Sequence, residues 1–152
     1  MRAKQLGGRL LSIVLALVLA YVFGQGRLSP SASSSREASV GNADQVVAAA
    51  LAARQSDVAI SGEGEVIKLL PDDQRGSRHQ RFLLRLPSGP VLLVAHNIDL
   101  APRLDDLRAG DKLRFAGEFA WNERGGVLHW THRDPHRKHA DGWLELAGRR
   151  YQ

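Results

Sequence analysis

The stretch His79-Gln80-Arg81-Phe82-Leu83-Leu84-Arg85-Leu86-Pro87-Ser88-Gly89-Pro90-Val91-Leu92-Leu93-Val94-Ala95-His96 decides how the chain folds. Phe82, Leu84 and Leu86 fall on one side of an extended segment, and Arg81 and Arg85 fall on the other. That two-residue period belongs to a strand. Pro87-Ser88-Gly89-Pro90 stops the run and reverses it, so residues 79–86 and 91–96 read as a hairpin centred on Ser88-Gly89. His79 then lies near His96 and Asn97.

The same texture extends both ways. Upstream, residues 58–70 read as a long strand, with Gly62 and Gly64 marking a bulge or bend, and Pro71-Asp72-Asp73-Gln74-Arg75-Gly76 as a loop. Downstream, residues 97–109 read as a loop and a short helix, with Pro102 in its first turn, Leu104 and Leu107 for packing, and Gly110 past its end. Residues 112–121 form a fourth strand, in which Leu113, Phe115, Phe119 and Trp121 alternate inward. Residues 127–132 form a fifth after the Asn122-Glu123-Arg124-Gly125-Gly126 turn.

Three strands, a short helix and two more strands is the order of an OB-like five-stranded barrel, so the expected class is mainly β. A small open sheet with helices on one side is the alternative. Closure into a barrel accounts better for the glycine bends and for the apolar alternation on every strand. The third and fifth strands of such a barrel run side by side and parallel, which brings His96-Asn97 and His132-Arg133-Asp134 to one rim.

The N-terminal side is different. Arg2, Lys4 and Arg9 precede residues 10–23, which carry no charge and only Ser12 and Tyr21 as polar residues. A basic flank before an apolar stretch shorter than the about 20 residues of a membrane span is the form of an export signal. Gly24 and Gly26 are a poor version of a cleavage site, so residues 1–26 read either as a removed signal or as a retained membrane anchor. The expected location is across the inner membrane: periplasmic, secreted or N-terminally anchored. Residues 27–41, with Ser31-Ala32-Ser33-Ser34-Ser35, read as a flexible linker. Residues 42–152 read as one domain. It opens on a short helix capped by Asn42 and Gln45, with Val46, Val47, Ala50 and Leu51 on one face.

Composition narrows the function classes. The chain carries 21 Lys and Arg against 16 Asp and Glu; without residues 1–26 the balance is 18 against 16. An excess of +2 is not the basic footprint of a nucleic-acid binder. The absence of cysteine excludes disulfides, thiolate metal sites and a lipidated cysteine.

All six histidines lie between His79 and His139, and histidine is the side chain most suited to metal ligation or proton transfer near neutral pH. The candidate rim site comprises His79, His96, Asn97, Asp99, His129, His132, Asp134 and His139. His79, His96, His132 and His139 are the possible ligands of a divalent metal such as zinc. Each has a plainer reading. A strand histidine such as His129 is more often a packing residue, and His79 with His96 would make a hydrogen-bonded rim pair. Asn97 and Asp99 would satisfy backbone donors, Asp72 and Asp73 would be turn residues, and His136 would sit in a solvated loop. Trp121, Trp130 and Trp143 read as core and rim packing. Arg78, Arg81 and Arg85 could line a groove for an anionic envelope ligand, although a solvated strand face is the plainer reading.

The strings Leu69-Leu70-Pro71-Asp72-Asp73, His79-Gln80-Arg81-Phe82, His96-Asn97-Ile98-Asp99-Leu100-Ala101-Pro102, His129-Trp130-Thr131-His132 with Asp134-Pro135, and His139-Ala140-Asp141-Gly142-Trp143 resemble a bacterial exported-protein family of unknown function, domain of unknown function 3465. The resemblance covers residues 62–151 and implies no activity. The chain departs from the family's pattern at Arg133, where a histidine is common, and His136 has no match in it. Three functions follow as expectations: an envelope binding module for a small-molecule or anionic ligand, a metal-dependent hydrolase, and a structural protein whose histidines brace the rim. No His-Glu-x-x-His spacing favours the second. An uncleaved N-terminal segment would add membrane contact.

Overall fold

The computed structural model describes residues 32–152, with side chains from Ala43 onward. The expected signal or anchor, residues 1–26, lies outside the described residues. Helix α1 (Ala32–Ala53) precedes seven strands: β1 (Val58–Asp73), β2 (His79–Arg85), β3 (Val91–Asn97), β4 (Lys112–Ala120), β5 (Val127–His129), β6 (Trp143–Leu146) and β7 (Arg149–Tyr151). The protein is mainly β.

β2 and β3 pair as the hairpin requires, with Arg85 opposite Val91 and His79 opposite Asn97. The turn closes through Leu86 N to Pro90 O at 2.8 Å. β1 pairs with β4 through residues 58–65 and with β2 through residues 65–73, so Glu65 faces Lys112 on one side and Arg85 on the other. β3 and β5 are parallel, Leu93 opposite Val127. β5 pairs with the end of β4, and β6 with its beginning. Strands β1, β2, β3, β5 and β4 therefore form a closed ring of five, and β6 and β7 extend the sheet from β4.

Alternation fills the ring. Gln80, Phe82 and Leu84 of β2, Leu92, Val94 and His96 of β3, Leu113, Phe115 and Phe119 of β4, and Leu128 of β5 are buried. Each fully buried Leu or Phe contributes roughly 1.5–3 kcal/mol. The bend expected at Gly62 and Gly64 is where β1 changes partner. A Cβ on Gly64 would meet Arg85 O at 2.7 Å, and one on Gly62 would meet the Ala43 Cβ of α1 at 2.7 Å. The register irregularities come slightly later, at Val66/Lys68 and Leu70/Asp73. Helix α1 adds Val47 and Ala50 to the core, and Asp44 accepts the Ser88 amide at 3.0 Å.

Four expectations need correcting. No helix forms between β3 and β4. The Leu104 amide that would continue one is taken by Gln80 Oε1 at 2.9 Å, and the remaining bonds make isolated turns, such as Leu107 N to Leu104 O at 3.4 Å. Leu104 and Leu107 still enter the core, as turn residues. Helix α1 begins at Ala32 instead of Asn42, because no proline interrupts residues 31–53 and alanine is the best helix former. β5 stops at His129, because Trp130 adopts φ 52°, a left-handed conformation that ends strand alternation. The sequence reading assigned no strand after residue 132, yet β6 and β7 form a hairpin across Ala147-Gly148 (φ 50° and 81°), a two-residue turn of the type such hairpins use.

Candidate functional site

The register brings the histidine strings to one rim and then gives them different tasks. His96 is fully buried opposite Gln80. Its Nε2 lies 3.1 Å from the Pro102 carbonyl and its Nδ1 2.8 Å from Thr131 Oγ1. A carbonyl only accepts, so Nε2 carries the proton and Nδ1 accepts from the threonine hydroxyl. Burial pushes the imidazole down to about 4, with His132 and His79 adding repulsion against the Pro102 and Thr131 hydrogen bonds. Beside it Gln80 donates to Leu104 O at 3.0 Å and accepts from Leu104 N. Together they pin the 98–111 segment across the ring. Both ring nitrogens of His96 are committed, so it is a brace for that segment.

Of the three arginines of the expected groove, Arg78 and Arg81 are engaged. Arg78 donates through Nε to Asp99 at 2.7 Å, and the Asp99 carboxylate accepts the Arg78 amide as well; these two bonds hold it below the usual carboxylate range. Asn97 Oδ1 accepts the Asp99 amide at 3.0 Å, closing the turn. Arg81 places Nε and Nη2 on the Pro71 carbonyl at 3.0 and 2.9 Å. Asp72 binds Arg103 through both oxygens, at 3.1 and 3.4 Å. Asp73 accepts the Arg75 amide at 3.0 Å. Arg85 is exposed beside a cavity of about 280 Å³ that also touches Glu63, Glu65 and Lys112, where opposite charges balance.

The open part of the rim surrounds Trp130, which is 38% exposed. Its ring lies 4.2 Å from the His139 ring, 5.3 Å from His129 and 5.8 Å from His132, and the His132 and His139 rings are 5.4 Å apart. The backbone fixes this placement. Gly142 donates its amide to His132 O at 2.9 Å, and a Cβ there would come 1.9 Å from Trp130 O. Only glycine permits that approach.

Three imidazoles share a geometry. Nδ1 of His79, His132 and His139 sits 2.7, 2.6 and 2.8 Å from the backbone carbonyls of Ser77, Arg133 and Ala140. In the neutral form the proton is then on Nδ1, and Nε2 presents a lone pair. His139 Nε2 is 3.9 Å from Asp134 Oδ2. Asp134 organises its own loop, accepting the amides of His136, Lys138 and His139. Burial alone would raise its pKa, but those amides outweigh it and the carboxyl titrates below its usual range. His136 is exposed, as a solvated loop residue.

His129 points away from the core, opposite Glu118. Its Nε2 is buried without a hydrogen-bond partner, 3.5 Å from Glu118 Oε1. Burial lowers the His129 pKa against the pull of Asp57. Burial, followed by the neighbouring Asp57 carboxyl, pushes Glu118 up. The sequence reading missed Asp57, Glu118, Gln80 and Thr131. The strand order 118 opposite 129 offered a signal for Glu118; nothing local marked Asp57.

Among the described residues, no group of three or more His, Asp or Glu is placed to hold a metal ion. None of the described helices is long and apolar enough to cross a membrane. The closed ring is a small, mainly β domain in which His96 is a buried brace and His129, the buried His132 and His139 pack around a partly exposed Trp130. The chain belongs to the family described as protein of unknown function DUF3465, whose model matches residues 31–152. No curated protein matches it.

Proposed function

We propose that this protein is an exported, envelope-associated binding module built on an OB-like barrel, taking its ligand at the rim around Trp130. The observation that carries this reading is Trp130 itself. A large aromatic ring is left partly exposed at the end of a barrel strand, held in a left-handed backbone conformation and packed against His139. Such backbone strain, with an unpartnered buried nitrogen on the adjacent His129, suits a surface kept for a ligand. The basic flank and apolar run of residues 1–23 support export, with the segment either removed or kept as an anchor.

A second reading, a metal-dependent hydrolase, draws on the three imidazoles whose Nδ1 atoms face backbone carbonyls, the arrangement that metal-bound histidines use. It is the weaker one, because the described residues bring no three ligands together.

Intrinsic fluorescence titrated with solubilised envelope fragments separates the two. Saturable binding that disappears in Trp130→Ala, with folding intact, is the expected result. A stoichiometric divalent ion lost in His132→Ala, together with hydrolysis of a fragment, would replace the binding module with the hydrolase.

A further inference from the structure

We propose that the ligand of the Trp130 rim is an anionic glycan, stacked by a sugar ring on Trp130 and held through its acidic groups by Arg133, Arg137 and Lys138. This rests on the reading of Trp130 as a binding surface and adds the chemistry of what it binds. The loop that follows Trp130 carries three exposed cations, Arg133, Arg137 and Lys138. None forms an ion pair with a described residue. The β2 end of the molecule is the reverse, with Arg78 on Asp99, Arg81 near Asp73 and Arg103 on Asp72.

The two acids of the loop, Asp134 and Asp141, keep their charge against its three cations, but they are bonded to backbone amides and pair with none of the three. Asp134 is occupied by the amides of His136, Lys138 and His139, and Asp141 accepts the Asp134 amide at 2.8 Å. The loop backbone is thus fixed by its carboxylates, while its cations face solvent. An anion meeting several such cations gains charge-assisted hydrogen bonds, two at a time from each guanidinium. The aromatic face selects the remainder of the ligand. A sugar ring presents an apolar C–H face to the indole and hydroxyl donors around its edge. A polynucleotide would also stack and carry charge, but the balance of +2 beyond residue 26 is small for a phosphate-backbone binder.

The test uses the full chain in detergent, titrated with phosphomannan (mannose units bearing phosphodiesters), neutral mannan and single-stranded oligothymidylate, at about 0.02 and 0.15 M salt. The variants are Trp130→Ala and the triple change Arg133→Glu, Arg137→Glu, Lys138→Glu, whose exposed positions leave folding unchanged by circular dichroism. Phosphomannan binding that is weakened about tenfold by the triple change, by neutral mannan in its place and by the higher salt supports the proposal. Equal binding of both mannans, lost in Trp130→Ala, overturns the anionic glycan and leaves the binding module standing. Tighter binding of oligothymidylate also overturns it. No response of any probe to Trp130→Ala overturns both.

Discussion

His96 and His129 lie on neighbouring parallel strands of one ring, yet their surroundings are opposite. His96 has each nitrogen matched to a partner and no exposed surface, and with Gln80 it ties the 98–111 segment to the sheet. His129 keeps a buried Nε2 without a hydrogen bond, beside a carboxyl whose pKa is raised and an exposed indole. The first arrangement stabilises the fold, and the second costs stability. A histidine-rich sequence therefore holds two kinds of region, and the hydrogen-bond inventory of each ring separates them.

The largest test of that contrast is at Gly142, which sets the open side. Gly142→Ala forces a Cβ to 1.9 Å from Trp130 O, so a loss above about 4 kcal/mol, or failure to fold, is expected in denaturant melts. A well-folded, unchanged variant would show that the Trp130 conformation is not fixed by this contact. Next comes His96→Ala, which removes a fully buried ring and leaves the Thr131 hydroxyl and Pro102 carbonyl unmatched. It should cost about 3 kcal/mol, whereas Trp130→Ala should cost about 1 kcal/mol or less while abolishing ligand binding. Equal losses in the two would erase the distinction between brace and open site.

The brace also predicts a pH dependence. His96 is a base whose folded pKa, about 4, lies below its ordinary 6.5. The unfolded chain therefore takes up the proton first as pH falls. Its contribution is fully present above pH 6.5 and is lost between 6.5 and about 4, amounting to about 3 kcal/mol. Unfolding free energies measured across that window should fall in the wild type and fall less in His96→Gln; parallel curves would remove His96 as the cause. The smallest effect has the opposite sign. His129→Leu removes an unpartnered buried nitrogen and should raise stability by about 0.5–1 kcal/mol in the same melts while weakening ligand binding. A loss of stability there would mean that His129 has a partner in solution.

Much of this is legible in the sequence. The hairpin followed from Pro87-Ser88-Gly89-Pro90, with its pairs centred on Ser88 and not on Ser88-Gly89, and β3 and β5 are parallel as expected, with His96 meeting Thr131. The plain reading of Asn97 and Asp99 as acceptors of backbone donors matches the bonds they make. The failures have physical causes. Pro102, Leu104, Leu107 and Gly110 carry the marks of a helix, but a glutamine distant in sequence took the Leu104 amide and a turn-rich path buried the same leucines. The hairpin of β6 and β7 was overlooked because its strands are short and its turn, Ala147-Gly148, lacks an asparagine or aspartate. Trp130 does pack on the rim as read, but its left-handed backbone, which ends β5, left no local mark.

The sequence by itself determined the mainly β character, the bounds of β1 to β4 to within a few residues, the inward alternation and the β2–β3 hairpin, because each depends on neighbouring residues and a two-residue period. Only the tertiary structure decided which group each histidine ring meets. That depends on which carbonyl, hydroxyl or carboxyl an imidazole meets from another part of the sheet: Pro102 and Thr131 for His96, Glu118 for His129. Burial and partner are properties of the assembled ring, and no local stretch of chain encodes them.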